Sequence, residues 1–235
     1  MRALAIDTST DWAGVALCDG QSCVVRSPAG GDSIAAPGQH AERLLGLIDG
    51  SLNQAGWKKR DLELISCCVG PGSFTGVRVG VATAKGIALA LGLPIVGIGS
   101  LEVMAYAHFA RRAAPADADE AAVPLLDARK GEVFWAAYAS SGALVAGPAH
   151  LAATQIAELP RRVPRTKITF LGAIARHLPL EAAWIATAPE TDRPDPVELA
   201  RLAIATFRRR GPDDLDALEP AYVRPPDITL PAASS

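Results

Sequence analysis

The chain has 235 residues, 49% of them hydrophobic and 20% charged. That is enough to bury one large core or two small ones, and it excludes a long disordered protein. A formal net charge of −2 excludes a global positive field that would hold nucleic acid by counterion release.

Residues 4–7 and 12–18 read as two strands joined by a polar turn at 8–11, a hairpin signal. Met1 and Arg2 lead straight into the first strand, with no apolar leader of the secretory kind, so a cytoplasmic protein is expected. Cys18, Cys23, Cys67 and Cys68 lack paired CxxC spacing and read as buried thiols in a reducing compartment. Residues 39–55 form a helix candidate, with Leu44, Leu45, Leu47, Ile48 and Leu52 spaced for one apolar face.

An apolar strand then runs into VGPGSFTGVRVG, where glycines at a strand-to-helix turn would aim backbone N–H groups at an anion. The spacing excludes the common nucleotide motifs. A P-loop needs GxxxxGK and then Ser or Thr, and Gly70, Gly72 and Gly76 are one residue too long for GxGxxG.

In the helix that follows, Gly76, Gly80, Ala84 and Ala88 recur at i+4 and leave a smooth strip that another helix could approach closely. Val77, Val81, Ile87 and Leu91 add apolar surface, and only Arg78 and Lys85 are charged, so the helix needs cover on two sides. Its own sheet supplies one side; a neighbouring helix or a second chain supplies the other. A purely intramolecular core helix is the competing reading. The run 79–99 is the most apolar in the chain, but Lys85, its glycines and Pro94 make it a buried helix followed by a strand, not a membrane span.

The second half echoes the first. Strands at 123–127 and 132–138 flank a turn at 128–131, so VPLLDARKGEVFWAAY repeats LAIDTSTDWAGVAL, and each first strand ends in an aspartate, Asp7 or Asp127. ISCCVGPGSFTGV and ITFLGAIARHL each read as a strand, a glycine and a helix. Two related α/β lobes follow, with the aperiodic stretch 111–120 just beyond the boundary: residues 1–105, residues 106–212, and an extended proline-rich tail at 213–235. Residues 196–210 form a helix that starts at Pro196 and stops at Gly211 and Pro212. Its closing Arg208, Arg209 and Arg210 suit the negative helix end, and contact with RNA phosphates is the lesser reading.

Catalytic patterns are sparse. His40, His108, His150 and His177 are scattered without HExxH, GxSxG is absent, and Ser9, Ser73 and Thr75 have no base paired with them in sequence. No catalytic and no metal-ligating set emerges. His40 with Glu42 reads as a solvated or capping group at a helix start. Asp7 before Thr8, Ser9 and Thr10 keeps two readings open: a turn that cradles phosphates near a nucleotide, or one whose aspartate and hydroxyls cap their own backbone.

Taken together, AIDTST at 5–10, HAERLL at 40–45, GPGSFTGVRVGVATAKGIA at 70–88, DARKGEV at 127–133 and PAYVR at 220–224 resemble the TsaB (YeaZ) family. The resemblance implies an actin-like, Hsp70-like ATPase fold of two duplicated lobes. It also implies a role in making N6-threonylcarbamoyladenosine at position 37 of tRNAs that read ANN codons, as a non-catalytic partner of the transferase TsaD. The transferase's metal site rests on two histidines of one helix; here the matching segment offers His40, with Leu44 and Leu45 one turn on.

The resemblance further implies TsaE as an ATPase partner, TsaC as supplier of threonylcarbamoyl-adenylate, a homodimer in isolation, and tRNA contact only within the complex. No cofactor is then held strongly by the chain alone, and ATP or ADP belongs to the interface with TsaD. The partner or dimer surface maps onto His40, Leu44, Leu45, Ile48, Thr75, Gly76, Val77, Gly80, Val81, Ala84 and Ala88. The competing functions are an independent ATPase or carbohydrate kinase using Asp7 and the Thr8, Ser9, Thr10 turn, and a metallopeptidase, which these residues do not support.

Overall fold

In a computed structural model, residues 1–26, 40–112, 117–180, 184–185 and 191–224 are described. The first hairpin forms where alternation demands it. β1 (Ala3–Asp7) pairs antiparallel with β2 (Gly14–Cys18), and β2 pairs with β3 (Cys23–Arg26). Cys18 and Cys23 face each other in that register and are joined by a disulfide, which corrects the expectation of free thiols there; Cys67 and Cys68 are free and buried.

β4 (Leu64–Gly70) joins β1 in parallel and β5 (Ile95–Gly99) joins β4, so the first sheet has the order β3-β2-β1-β4-β5. Period-2 alternation divides its residues between two faces. Leu4, Ile6, Val15, Leu17, Ile65 and Ile95 face one way, where helices α1 (His40–Ala55) and α2 (Phe74–Leu91) lie side by side. Ala3, Ala5 and Ala16 face the other way, and their small side chains admit a helix close to the sheet. α2 is the one helix among the described residues long and apolar enough to cross a membrane. Here its inward face packs against the sheet.

The second sheet repeats the plan. β6 (Glu120–Arg129), β7 (Glu132–Ala139) and β8 (Leu144–Ala152) form an antiparallel meander, and β9 (Lys167–Leu171) adds in parallel to β6, giving the order β8-β7-β6-β9. A single parallel bridge from Phe170 to Ile185 stands where the first lobe has its fifth strand. The helix expected after Gly172 is only a 3-10 turn, Ala173–His177. Pro179 stops it, because the residue before a proline is pushed out of the helical region. This duplicated α/β plan is the actin-like fold.

The lobes interlock through their closing helices. α3 (Ser100–Ala110) follows β5 yet packs Leu101, Met104 and Ala105 against Leu126, Phe134 and Tyr138 of the second sheet. Between β8 and β9 lie a 3-10 turn and the one-turn α4 (Leu159–Arg162). α5 (Pro196–Arg210), capped by the Asp195 carboxylate, which accepts from Val197 N, returns to cover the alanine face of the first sheet. Beyond it, residues 213–224 strap across the first lobe: Asp213 N donates to the Ile95 carbonyl, Gly97 N to the Asp213 carboxylate and Ala221 N to the Val69 carbonyl. The remainder of the tail, 225–235, lies outside the described residues.

Candidate functional site

The β1–β2 turn and the start of α2 are clasped together. Thr8 Oγ1 donates to the Gly76 carbonyl at 2.7 Å, and Ser73 N donates to the Ser9 carbonyl at 2.7 Å. Ser73 also caps α2 by accepting from Gly76 N at 3.2 Å. A Cβ on Gly72 would lie 2.0 Å from the Ser9 carbonyl oxygen, one on Gly76 2.1 Å from that of Thr8, and one on Gly80 2.1 Å from Thr8 Oγ1. Gly72, Gly76 and Gly80 are therefore the positions at which the neighbouring turn comes too close for a side chain.

Asp7, at the end of β1, is 2% exposed, and its Oδ1 accepts from Ser9 N at 3.0 Å and Ser9 Oγ at 2.7 Å. Of the two readings of this aspartate, these are the bonds of a turn that caps its own backbone. Burial pushes the carboxyl above the usual range, and the Ser9 bonds pull partly back. Burial likewise pushes the Cys67 thiol up to about 12 and the Cys68 thiol well above its ordinary value, so neither is a reactive thiolate.

A cleft of about 680 Å³ opens between the lobes. Ser9, Thr10, Asp11 and Trp12 line it from the first hairpin, Asp127, Arg129 and Lys130 from the second, and Tyr222 and Arg224 from the strap; Asp7 and Thr8 lie outside its lining. Its arginines are engaged. Arg129 Nη2 meets both oxygens of Asp11, at 2.7 and 2.9 Å across the lobes, and the Arg193 guanidinium lies 3.9 Å over the Trp12 ring. Arg224 Nη1 donates at 3.0 Å to the Ala128 carbonyl and at 3.0 Å to Glu132. An anionic ligand at Arg129 would have to displace Asp11. Among the described residues no three histidine, cysteine or acidic side chains converge as a metal site.

The residues assigned to partner contact divide by face. Gly76, Val77, Gly80, Val81, Ala84 and Ala88 are buried within the chain, against the β1–β2 turn and the first sheet, and Leu44 and Ile48 of α1 join the same core. Gly76 and Gly80 admit this chain's own Thr8, and Ala84 and Ala88 lie in the core on the first sheet. Thr75 is exposed, as are Leu45 at 48% and Leu89 at 72%. The side chain of His40 lies outside the described residues. The outward stripe of α2 is Thr75, Arg78, Ala82, Gly86 and Leu89. Its i+3/i+4 spacing is a second stripe in the sequence, parallel to that of the small residues. The Asp11–Arg129 bridge and the strap had no short-range signal.

Two sheets of the same meander-plus-parallel plan around a cleft define the chain as a two-lobed protein of the actin-like class. A family model described as TsaD, tRNA N6-adenosine threonylcarbamoyltransferase, matches residues 34–177. TsaB of Escherichia coli, a tRNA threonylcarbamoyladenosine biosynthesis protein, is 35% identical over 138 residues, 59% of this chain and 55% of that protein. The matched stretch thus spans about half the length of that curated relative. An uncharacterised Mycobacterium tuberculosis protein is 31% identical over 95% of this chain and 92% of its own length. The structure titled YeaZ from Pseudomonas aeruginosa superposes with a TM-score of 0.75 at 26% identity, covering 94% of this chain and 99% of that one. The chain belongs to the TsaB/YeaZ family of tRNA threonylcarbamoyladenosine biosynthesis proteins.

Proposed function

We propose that this chain is a non-catalytic subunit that docks on TsaD through the outer faces of α1 and α2 and so supports threonylcarbamoyl transfer to adenosine 37 of tRNAs reading ANN codons. The observation that carries the reading is the outward stripe of α2, with Leu89 72% exposed at its end and Leu45 exposed on the neighbouring helix. Large apolar side chains held open on two adjacent rigid helices favour a protein partner. The isolated chain would use the same face to form a homodimer. TsaE and TsaC act in the same process, tRNA is met only in the complex, and the setting is cytoplasmic.

The chain's own cleft is a poor phosphate cradle, since Asp11 holds Arg129 and Asp7 holds Ser9 N. ATP or ADP is therefore assigned to the joint interface with TsaD, and the contribution to rate is conformational. The test is co-purification with TsaD of the same genome, followed by a threonylcarbamoylation assay with and without this chain. Co-elution and a rate that depends on this chain are expected; full activity of TsaD without it would overturn the reading. The 680 Å³ cleft favours one second reading, an independent ATPase or kinase. ATP turnover by the purified chain would support that reading.

A further inference from the structure

We infer that Arg78 is the ion-pairing residue of the outer α2 face, built to receive a carboxylate side chain from the protein that docks there. The inference rests on the docking reading above and adds the chemistry of the contact. Arg78 is exposed on the same stripe as Thr75, Ala82 and Leu89. Its guanidinium lies 3.6 Å over the Phe74 ring and 5.4 Å from the Tyr222 ring, and its Nε donates to Tyr222 Oη at 2.6 Å. The two rings are 5.5 Å apart. Tyr222 comes from the strap, 144 residues away in sequence, so the strap itself assembles this cluster.

The stack on Phe74 and the hydrogen bond to Tyr222 hold the guanidinium plane before any partner arrives. With Nε committed to Tyr222, Nη1 and Nη2 have no carboxylate among the described residues and form the fork that matches a planar anion in two parallel bonds. Ordering that costs entropy elsewhere is already done here. Phe74 at 43% and Tyr222 at 47% exposure make the surroundings those of an interface anchor, where arginine and tyrosine are enriched.

The anion is a protein carboxylate and not a nucleic-acid backbone for two reasons. A phosphate track needs several free cations, but Lys85, the other cation of α2, donates to the Asp216 and Leu218 carbonyls at 3.2 and 3.0 Å. The chain as a whole carries a net charge of −2.

The experiment measures binding of the full-length chain to TsaD by titration calorimetry at low and high salt, for the wild type, Arg78→Gln, Arg78→Lys and Leu89→Arg, with urea unfolding to verify each fold. Arg78→Gln should weaken binding about tenfold and flatten its salt dependence. Arg78→Lys should recover only part of that loss, because a point charge does not reproduce the fork. If Arg78→Gln binds as the wild type does while Leu89→Arg does not bind, docking stands and the Arg78 assignment is overturned. If both variants bind normally, the docking reading fails and takes this inference with it. If Arg78→Gln weakens tRNA binding by the complex and leaves TsaD affinity unchanged, the residue reads phosphate and the inference is wrong.

Discussion

The inner and outer faces of α2 carry the same kinds of residue and do opposite things. Inside, Gly76, Gly80, Ala84 and Ala88 let Thr8 and the first sheet approach; outside, Ala82 and Gly86 stand between Arg78 and Leu89 and touch no core. A small residue on a helix records that something comes close, and only the tertiary neighbour tells what. Here the inner strip closes a turn of the same chain, so the docking proposal rests on the outer stripe.

Substitutions should separate the two faces. The largest effect on folding belongs to Gly76→Val, whose Cβ would meet a backbone oxygen that cannot move aside; a loss of about 3 kcal/mol or more in urea unfolding is expected, with poor soluble yield. An arginine at Gly80 or Ala84 would test folding in the same way, and not docking. Leu89→Arg, on the other face, should stay within about 0.5 kcal/mol of the wild type in stability yet lose TsaD binding in sedimentation and pull-down. A Leu89→Arg chain that still pulls down TsaD would end the contrast.

A gentler pair sharpens it. Gly80→Ala presses on Thr8 Oγ1, and should cost about 1 to 2 kcal/mol. Thr8→Ala removes that oxygen together with its bond to Gly76. The double variant should therefore be more stable than the sum of the two losses, a coupling readable from a double-mutant cycle. Strict additivity would show that the two residues do not meet.

The smallest effect concerns the buried end of the clasp. Burial raises the folded Asp7 pKa above its unfolded value, so its protonated form favours folding. That contribution is complete at acid pH below the unfolded pKa and is lost as pH rises through the folded pKa. Asp7→Asn should remove this dependence, leaving a flatter stability curve above pH 4 or so than the wild type shows. Parallel curves for the two proteins would mean that Asp7 is not desolvated.

Much of this was legible in the chain. Both hairpins announce themselves by alternation and by polar turns after Asp7 and Asp127, and their echo in the sequence marks two lobes. α1 and α2 follow from apolar and small-residue spacing, and α5 from Pro196 at its start and Gly211 at its end. What stayed hidden is long-range. Nothing local says that α3 leaves its own lobe for the second sheet, or that α5 crosses back to the first. The strap that sets Tyr222 on Arg78 and the Asp11–Arg129 bridge join residues more than a hundred positions apart. The disulfide is hidden as well, since only the β2–β3 register sets Cys18 opposite Cys23.

The outer face of α2 as the docking surface is the central claim, and its most direct test is thiol labelling of a Leu89→Cys chain. The native Cys67 and Cys68 are buried with raised pKa values and, without reductant, Cys18 and Cys23 stay joined in their disulfide, so the new thiol reports alone. In a sample dilute enough to be monomeric by sedimentation, reaction with a maleimide should be fast, and it should slow at least about tenfold when TsaD is added in excess of its Kd. An unchanged labelling rate in a mixture where TsaD co-elutes with the chain would place the partner on another surface and contradict the account.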